Sequence, residues 1–148
     1  MSASNAGGGK AAPGIDANRS GVFRAPASLN SVRELAKKAV LAWLELSLDA
    51  VSNKLQFLDA CARQLKLPVH FGGNWDALAD CLRDLPPAQS AGFVLHVSGA
   101  AKFAKASPED YQTALAVFAE AAAFWKGKGK TGTPFVVLVD GAKDLPAF

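Results

Sequence analysis

No stretch of this sequence approaches the roughly 18 consecutive apolar residues that a membrane-spanning helix needs. The run Ala39 to Leu44 is stopped by Glu45. The opening Ser-Ala-Ser-Asn-Ala-Gly-Gly-Gly has no apolar core behind its one early lysine, Lys10, so it does not read as a secretory signal. The cytoplasm is therefore the expected location, with no membrane partner. Cysteine is scarce. Cys61 and Cys81 are the only two, and on separate expected helices of a chain without an export signal they should be free thiols; a disulfide between them is the alternative. Only His70 and His96 could join them around zinc, and no ligand spacing pairs any of the four. No metal or other cofactor is expected.

Nor does the sequence offer an enzyme's motifs. Gly127-Lys-Gly-Lys-Thr131 resembles a phosphate-binding loop, but that motif needs a glycine where Phe124 stands. It also follows a helix and precedes a strand, which reverses the required context. A helix end with favourable lysines and a glycine cap explains it. His70 near Asp76 and Asp80 suggests acid–base chemistry, yet no Ser or Cys nucleophile accompanies them in a recognisable motif. The expectation is a protein that is not an enzyme.

What the chain does have is one domain's length and an uneven charge. Its 148 residues are half hydrophobic and one-fifth charged, the balance of a globular domain. The formal charge is +3, but its placement matters more than its sum. Between Val40 and Trp125 six basic residues face nine acidic ones, so the middle is net −3 and the basic character belongs to the ends. Residues 1–30 are rich in Gly, Ala, Ser, Asn and Pro and are expected to be a disordered or weakly ordered tail, with Val22 and Phe23 anchoring its end. Residues 31–148 form the expected domain.

Periodicity then sets out the elements. Ala39 to Leu48 reads as a first, largely buried strand. Ser52 to Leu65 reads as a helix on the spacing of Leu55, Leu58, Ala62 and Leu65. A loop broken by Pro68 and two glycines follows. Asn74 is a good N-cap for a helix from Trp75 to about Leu85, closed by Pro86 and Pro87. Phe93 to Val97 and Phe135 to Val139 are strands, separated by a long helix from Pro108 to Lys126. Strands alternating with helices call for parallel pairing and right-handed crossovers. The expected fold is α/β, with a three-stranded parallel sheet and about four helices. Trp43, Phe57, Phe118, Phe124 and Trp125 read as core, His96 as a satisfied core or edge histidine, and Asp140 as a turn residue before Gly141.

The helix after Asn74 carries the informative pattern. At about 100° per residue, Asp76, Asp80 and Asp84 share one face, while Trp75, Leu78, Leu82 and Leu85 form the opposite one. Asp76 benefits from the helix dipole; Asp80 and Asp84 do not. Like charges at i, i+4 repel by a few tenths of a kcal/mol, and Arg83 on the same side offers partial relief. Spacing alone fits an ordinary solvated face. It also fits a carboxylate ridge that meets a cationic partner.

The run HFGGNWDALADCLRDL, from His70 to Leu85, resembles the loop and second helix of the barstar family of intracellular ribonuclease inhibitors. The pattern Gly-x-Asn-x-Asp-Ala-Leu-x-Asp-Cys-Leu is reproduced at Gly72, Asn74, Asp76, Ala77, Leu78, Asp80, Cys81 and Leu82. A similar lead-in stands at Leu65, Leu67 and Pro68, and weaker similarity runs through Leu115 to Ala123 and the final strand. The resemblance covers roughly Val40 to Asp140.

That likeness implies a barstar-like fold whose loop and helix block a nuclease active site. Asp80 would take the place of a substrate phosphate, and Asp76 would pair with basic groups of the nuclease. His70 would stand where the family stacks an aromatic on the catalytic histidine. Glu120 would reach the nuclease rim, with Phe71, Gly72, Asn74 and Asp84 completing the partner-binding surface. The implied partner is a small bacterial ribonuclease, barnase-like or a polymorphic toxin nuclease, met by a chain that is a monomer when free. Direct nucleic-acid binding is not expected. The sequence departs from the family pattern at Ala79, where an aromatic is usual, at Gly73, where the loop is acidic, and in its overall basic charge. Two alternatives are a nucleic-acid-binding module that uses the basic ends and a barstar-like interaction module without nuclease binding.

Overall fold

The computed structural model describes residues 14–68, 73–85 and 90–148. Four parallel strands form one sheet: β1 (Gly21–Arg24), β2 (Leu41–Ser47), β3 (Gly92–Ser98) and β4 (Phe135–Val139), in the spatial order β1-β4-β3-β2. Among the described residues five α-helices accompany them: α1 (Asn30–Lys38), α2 (Lys54–Gln64), α3 (Trp75–Arg83), α4 (Ala101–Ala106) and α5 (Pro108–Lys126). Among the described residues no helix is long and apolar enough to cross a membrane.

β3 and β4 lie in the middle of the sheet, and that position explains their composition. A parallel strand covered on both faces has no polar side to show, so it reads as a continuous apolar run. All five residues of β4 are buried, and so are the first six of β3. On one face Phe93, Leu95, Val97, Phe135 and Val137 join the buried sides of α2, α3, α4 and α5 in the larger core. On the other, Val94, Val136 and Leu138 pack with Ile15 and with Val32 and Ala36 of α1.

The expected three strands and about four helices are corrected to four and five. The added strand, β1, lies inside the segment assigned to a disordered tail. Its Gly-Val-Phe-Arg pairs in register with Val136 to Val139 of β4. The chain's end secures its outer side: the Arg24 amide donates to the Pro146 carbonyl at 2.8 Å, and Phe23 meets Phe148 edge-on at 5.3 Å between ring centroids. Tertiary pairing overrides the weak local signal of four residues. The fold therefore begins well before residue 31; residues 1–13 of the expected tail lie outside the described residues.

The first expected strand is also corrected. Ala39 is the C-cap of α1, Val40 takes a left-handed conformation at φ 59°, and β2 starts at Leu41. β2 is an edge strand with mostly half-buried residues, and it is not largely buried. Gln64 covers part of that edge, accepting from the Ser47 amide at 2.7 Å and donating to its carbonyl at 2.8 Å. Such cover blunts an open ladder of backbone groups.

Candidate functional site: a carboxylate ridge on α3

α3 begins where its sequence requires. Asn74 has extended backbone angles and its Oδ1 accepts the Ala77 amide at 2.7 Å, satisfying one of the helix's unpaired donors. One face of the helix is held down. Leu78 and Leu82 are fully buried and Leu85 nearly so. Trp75 is half-buried against Phe57, with ring centroids 5.7 Å apart, and the Lys54 ammonium lies over its ring at the same distance. The Trp125 indole of α5 donates to the Leu82 carbonyl at 2.8 Å, which ties the two helices together in the buried interior. A rigid floor thus fixes the direction of the opposite face.

That opposite face holds Asp76 and Asp80, and the helix ends at Arg83, short of the expected Leu85, so that Asp84 continues the row as its C-cap; all three are exposed. Asp76 and Asp84 form no ion pair among the described residues. Asp80 is paired with Arg83 one turn along, yet its side chain remains 73% exposed. An exposed i, i+3 pair of this kind contributes little and is easily exchanged for a better partner. The ridge's field is visible at Cys81, whose thiol is pushed above its ordinary range by burial and by the charges of Asp80 and Asp84. Cys81 and the buried Cys61 are both free thiols.

The other expected site residues divide. Glu120 is exposed on α5, the helix that packs against α3. His70, Phe71 and Gly72 lie outside the described residues. Gly73, at the edge of that loop, has φ +70°, the left-handed region where a side chain is strained. This accounts for glycine at a position the resemblance marks as acidic. Ala79, the other departure, is half-buried against the larger core. An open groove of about 400 Å³ runs between α2 and the segment before α3, lined by Leu55, Leu58, Ala62, Leu67, Pro68 and Gly73 among others. No periodicity argument marked it out.

A second polar cluster was also missed. His96, 8% exposed in β3, sits between two carboxylates, with Nδ1 2.8 Å from Glu45 Oε1 and Nε2 2.9 Å from Asp140 Oδ1. His96 is indeed a satisfied histidine of the sheet. Asp140 does more than close a turn.

A family model described as Barstar (barnase inhibitor) matches residues 41–140. The match runs from the start of β2 to Asp140 and includes all of α2, α3 and α5; β1 and α1 lie outside it. No match to a curated protein was found.

Proposed function

The chain belongs to the Barstar (barnase inhibitor) family, and on that premise we propose that it blocks the active site of a bacterial ribonuclease with the α3 ridge and the loop before it. The observation that carries this reading is one short helix that exposes Asp76 and Asp80, with Asp84 at its C-cap, opposite a side anchored by the fully buried Leu78 and Leu82.

A ribonuclease gathers Arg, Lys and His around the scissile phosphate. A carboxylate held rigidly at that place substitutes for the substrate's charge, and charge-assisted bonds to arginine are among the strong ones. Asp80 is the central anchor and Asp76 the second. His70, Phe71, Gly72 and Asn74 supply the adjoining contact surface, with Asp84 and Glu120 at its margins. Complementary fields also speed encounter and reject wrong partners. Nothing in this scheme needs a cofactor or a chemical step. The biological role it fits is that of an antitoxin, held in the bacterial cytoplasm as a monomer until it meets its nuclease.

The reading based on the basic ends has less to draw on. Arg19 stacks on Phe148 at 3.8 Å, Arg24 donates to the Leu145 carbonyl at 3.4 Å, and Arg33 is engaged by Trp43 and Glu45. Three N-terminal cations are thus occupied within the fold.

Titration of the protein into assays of small guanyl-specific bacterial ribonucleases, barnase included, tests the proposal. Stoichiometric inhibition is expected, weakened by Asp80→Ala. The expected loss is about 2–5 kcal/mol of binding, the usual cost of truncating one member of a buried hydrogen-bonded charge pair, of which the barnase–barstar complex is the known example. Full nuclease activity across the panel at micromolar protein would overturn the reading.

A further inference from the structure

His96 presents a chemical constraint independent of the ridge. Both its ring nitrogens lie within 2.9 Å of carboxylate oxygens, Glu45 on one side and Asp140 on the other. Ionised carboxylates accept hydrogen bonds and have none to give. A neutral imidazole carries one N–H, so it satisfies one neighbour and turns a lone pair toward the other. Only the imidazolium, with a hydrogen on each nitrogen, meets both. The geometry therefore selects the charged ring.

The surroundings fit that selection. Glu45 Oε2 accepts from the Trp43 indole and from Arg33 of α1, the latter at 3.2 Å, while its Oε1 faces the histidine. The Arg33 guanidinium also stacks over Trp43 at 4.3 Å. The charged groups facing His96 are Glu45 from edge strand β2 and Asp140 from the turn after β4, with Arg33 behind Glu45. The three acid–base groups are consumed by one another, and among the described residues they form no metal-holding cluster.

We infer that Glu45, His96 and Asp140 form a proton-operated fastener, closed when the imidazole is charged, that holds β2, and through Arg33 helix α1, to the centre of the sheet. Burial works against the charged ring, but the hydrogen bonds and charges of Asp140 and Glu45 outweigh it and raise the His96 pKa above its ordinary value. Burial likewise opposes the Glu45 charge, and its bonds to Trp43 and His96 with the nearby cations lower its pKa overall.

The direction of the pH dependence follows. A raised histidine stabilises the fold fully below its unfolded value of about 6.5 and loses that contribution as pH climbs through the folded value. Between the two, the unfolding equilibrium constant rises about tenfold per pH unit from this one proton.

The test is an NMR titration of the full chain, whose only histidines are His70 and His96, with His70→Gln to assign the signals. His96 is expected to titrate well above pH 6.5, and Glu45→Gln and Asp140→Asn are each expected to lower that midpoint. Urea unfolding from pH 6 to 8, below the range where the unfolded chain's two thiols ionise, should show the wild-type chain losing stability where His96→Gln stays nearly flat. A His96 midpoint at or below 6.5 in the unaltered protein would overturn the inference, and so would parallel pH profiles for wild type and His96→Gln. The NMR arm stands even if a variant does not fold.

Discussion

The two acidic clusters of this molecule, the α3 ridge and the His96 bridge, use the same chemical group in opposite ways. On α3 and its C-cap three aspartates stand in water with one arginine beside them, and beyond the favourable place of Asp76 in the first turn the fold gains little from their charge. Around His96 two half-exposed carboxylates close on a buried ring and tie together elements far apart in sequence. The ridge is a surface kept available, and the bridge is a contact already made. The difference teaches where to look for function: carboxylates whose placement brings the fold no benefit are the ones to match with a partner.

Several substitutions break or sharpen that contrast, beginning with the floor under the ridge. Leu82 is fully buried and its carbonyl receives the Trp125 indole. Leu82→Ala should cost about 2–5 kcal/mol of stability through the cavity it leaves. It should also blur the ridge's direction, so inhibition weakens although no aspartate has changed. Urea unfolding and an inhibition titration on the same sample check both effects. Intact inhibition at full occupancy of the folded state would mean that the ridge does not depend on its floor.

Asn74→Ala comes next. Its side chain caps α3 and stands at the junction with the loop, so about 1 kcal/mol of stability should go with it. Asn74→Asp retains an acceptor and should restore most of that loss. Equal losses in the two variants would show that the cap contributes little.

The contrast also explains what could be read from the sequence alone. The ridge was legible because a helix writes its faces into a period of 3.6, so Asp76, Asp80 and Asp84 declare themselves within nine residues, and the buried Leu78 and Leu82 follow from the same count. β3 and β4 were legible as apolar runs. The bridge was not, since Glu45, His96 and Asp140 meet only through parallel pairing that places Glu45 opposite His96 and His96 opposite Leu138. No spacing along the chain encodes that register. β1 escaped notice for a related reason, its four residues being held by β4 and by the C-terminal segment and not by their own propensity. α1 was missed because its short apolar stripe of Val32 and Ala36 is set among lysines, arginine and glutamate.

Arg83 offers a finer probe. It neutralises Asp80 in the free chain, and a nuclease cation must displace it. Exposed pairs of this kind contribute about 0.2–1 kcal/mol. Arg83→Gln should therefore tighten nuclease binding by a factor of up to about five, and mostly at low salt, where surface charges are least screened. Association rates measured at two ionic strengths check this. Weaker binding of the variant would instead show Arg83 meeting an acidic group of the nuclease.

The smallest effect is the most discriminating: the stability of Asp80→Ala in the absence of any partner. Removing this carboxylate forfeits the Arg83 pair, worth at most about 1 kcal/mol. It also relieves two like-charge neighbours at i±4, each costing about 0.2–0.5 kcal/mol. These terms nearly cancel, so unfolding in urea should shift by no more than about 0.5 kcal/mol, the range usual for surface changes. A small gain at low salt should fade as salt rises, because both terms are screened. A loss above 1 kcal/mol would show that Asp80 is held by the fold and is not free to meet a partner. The ridge would then belong with the His96 bridge, as structure and not as an open surface.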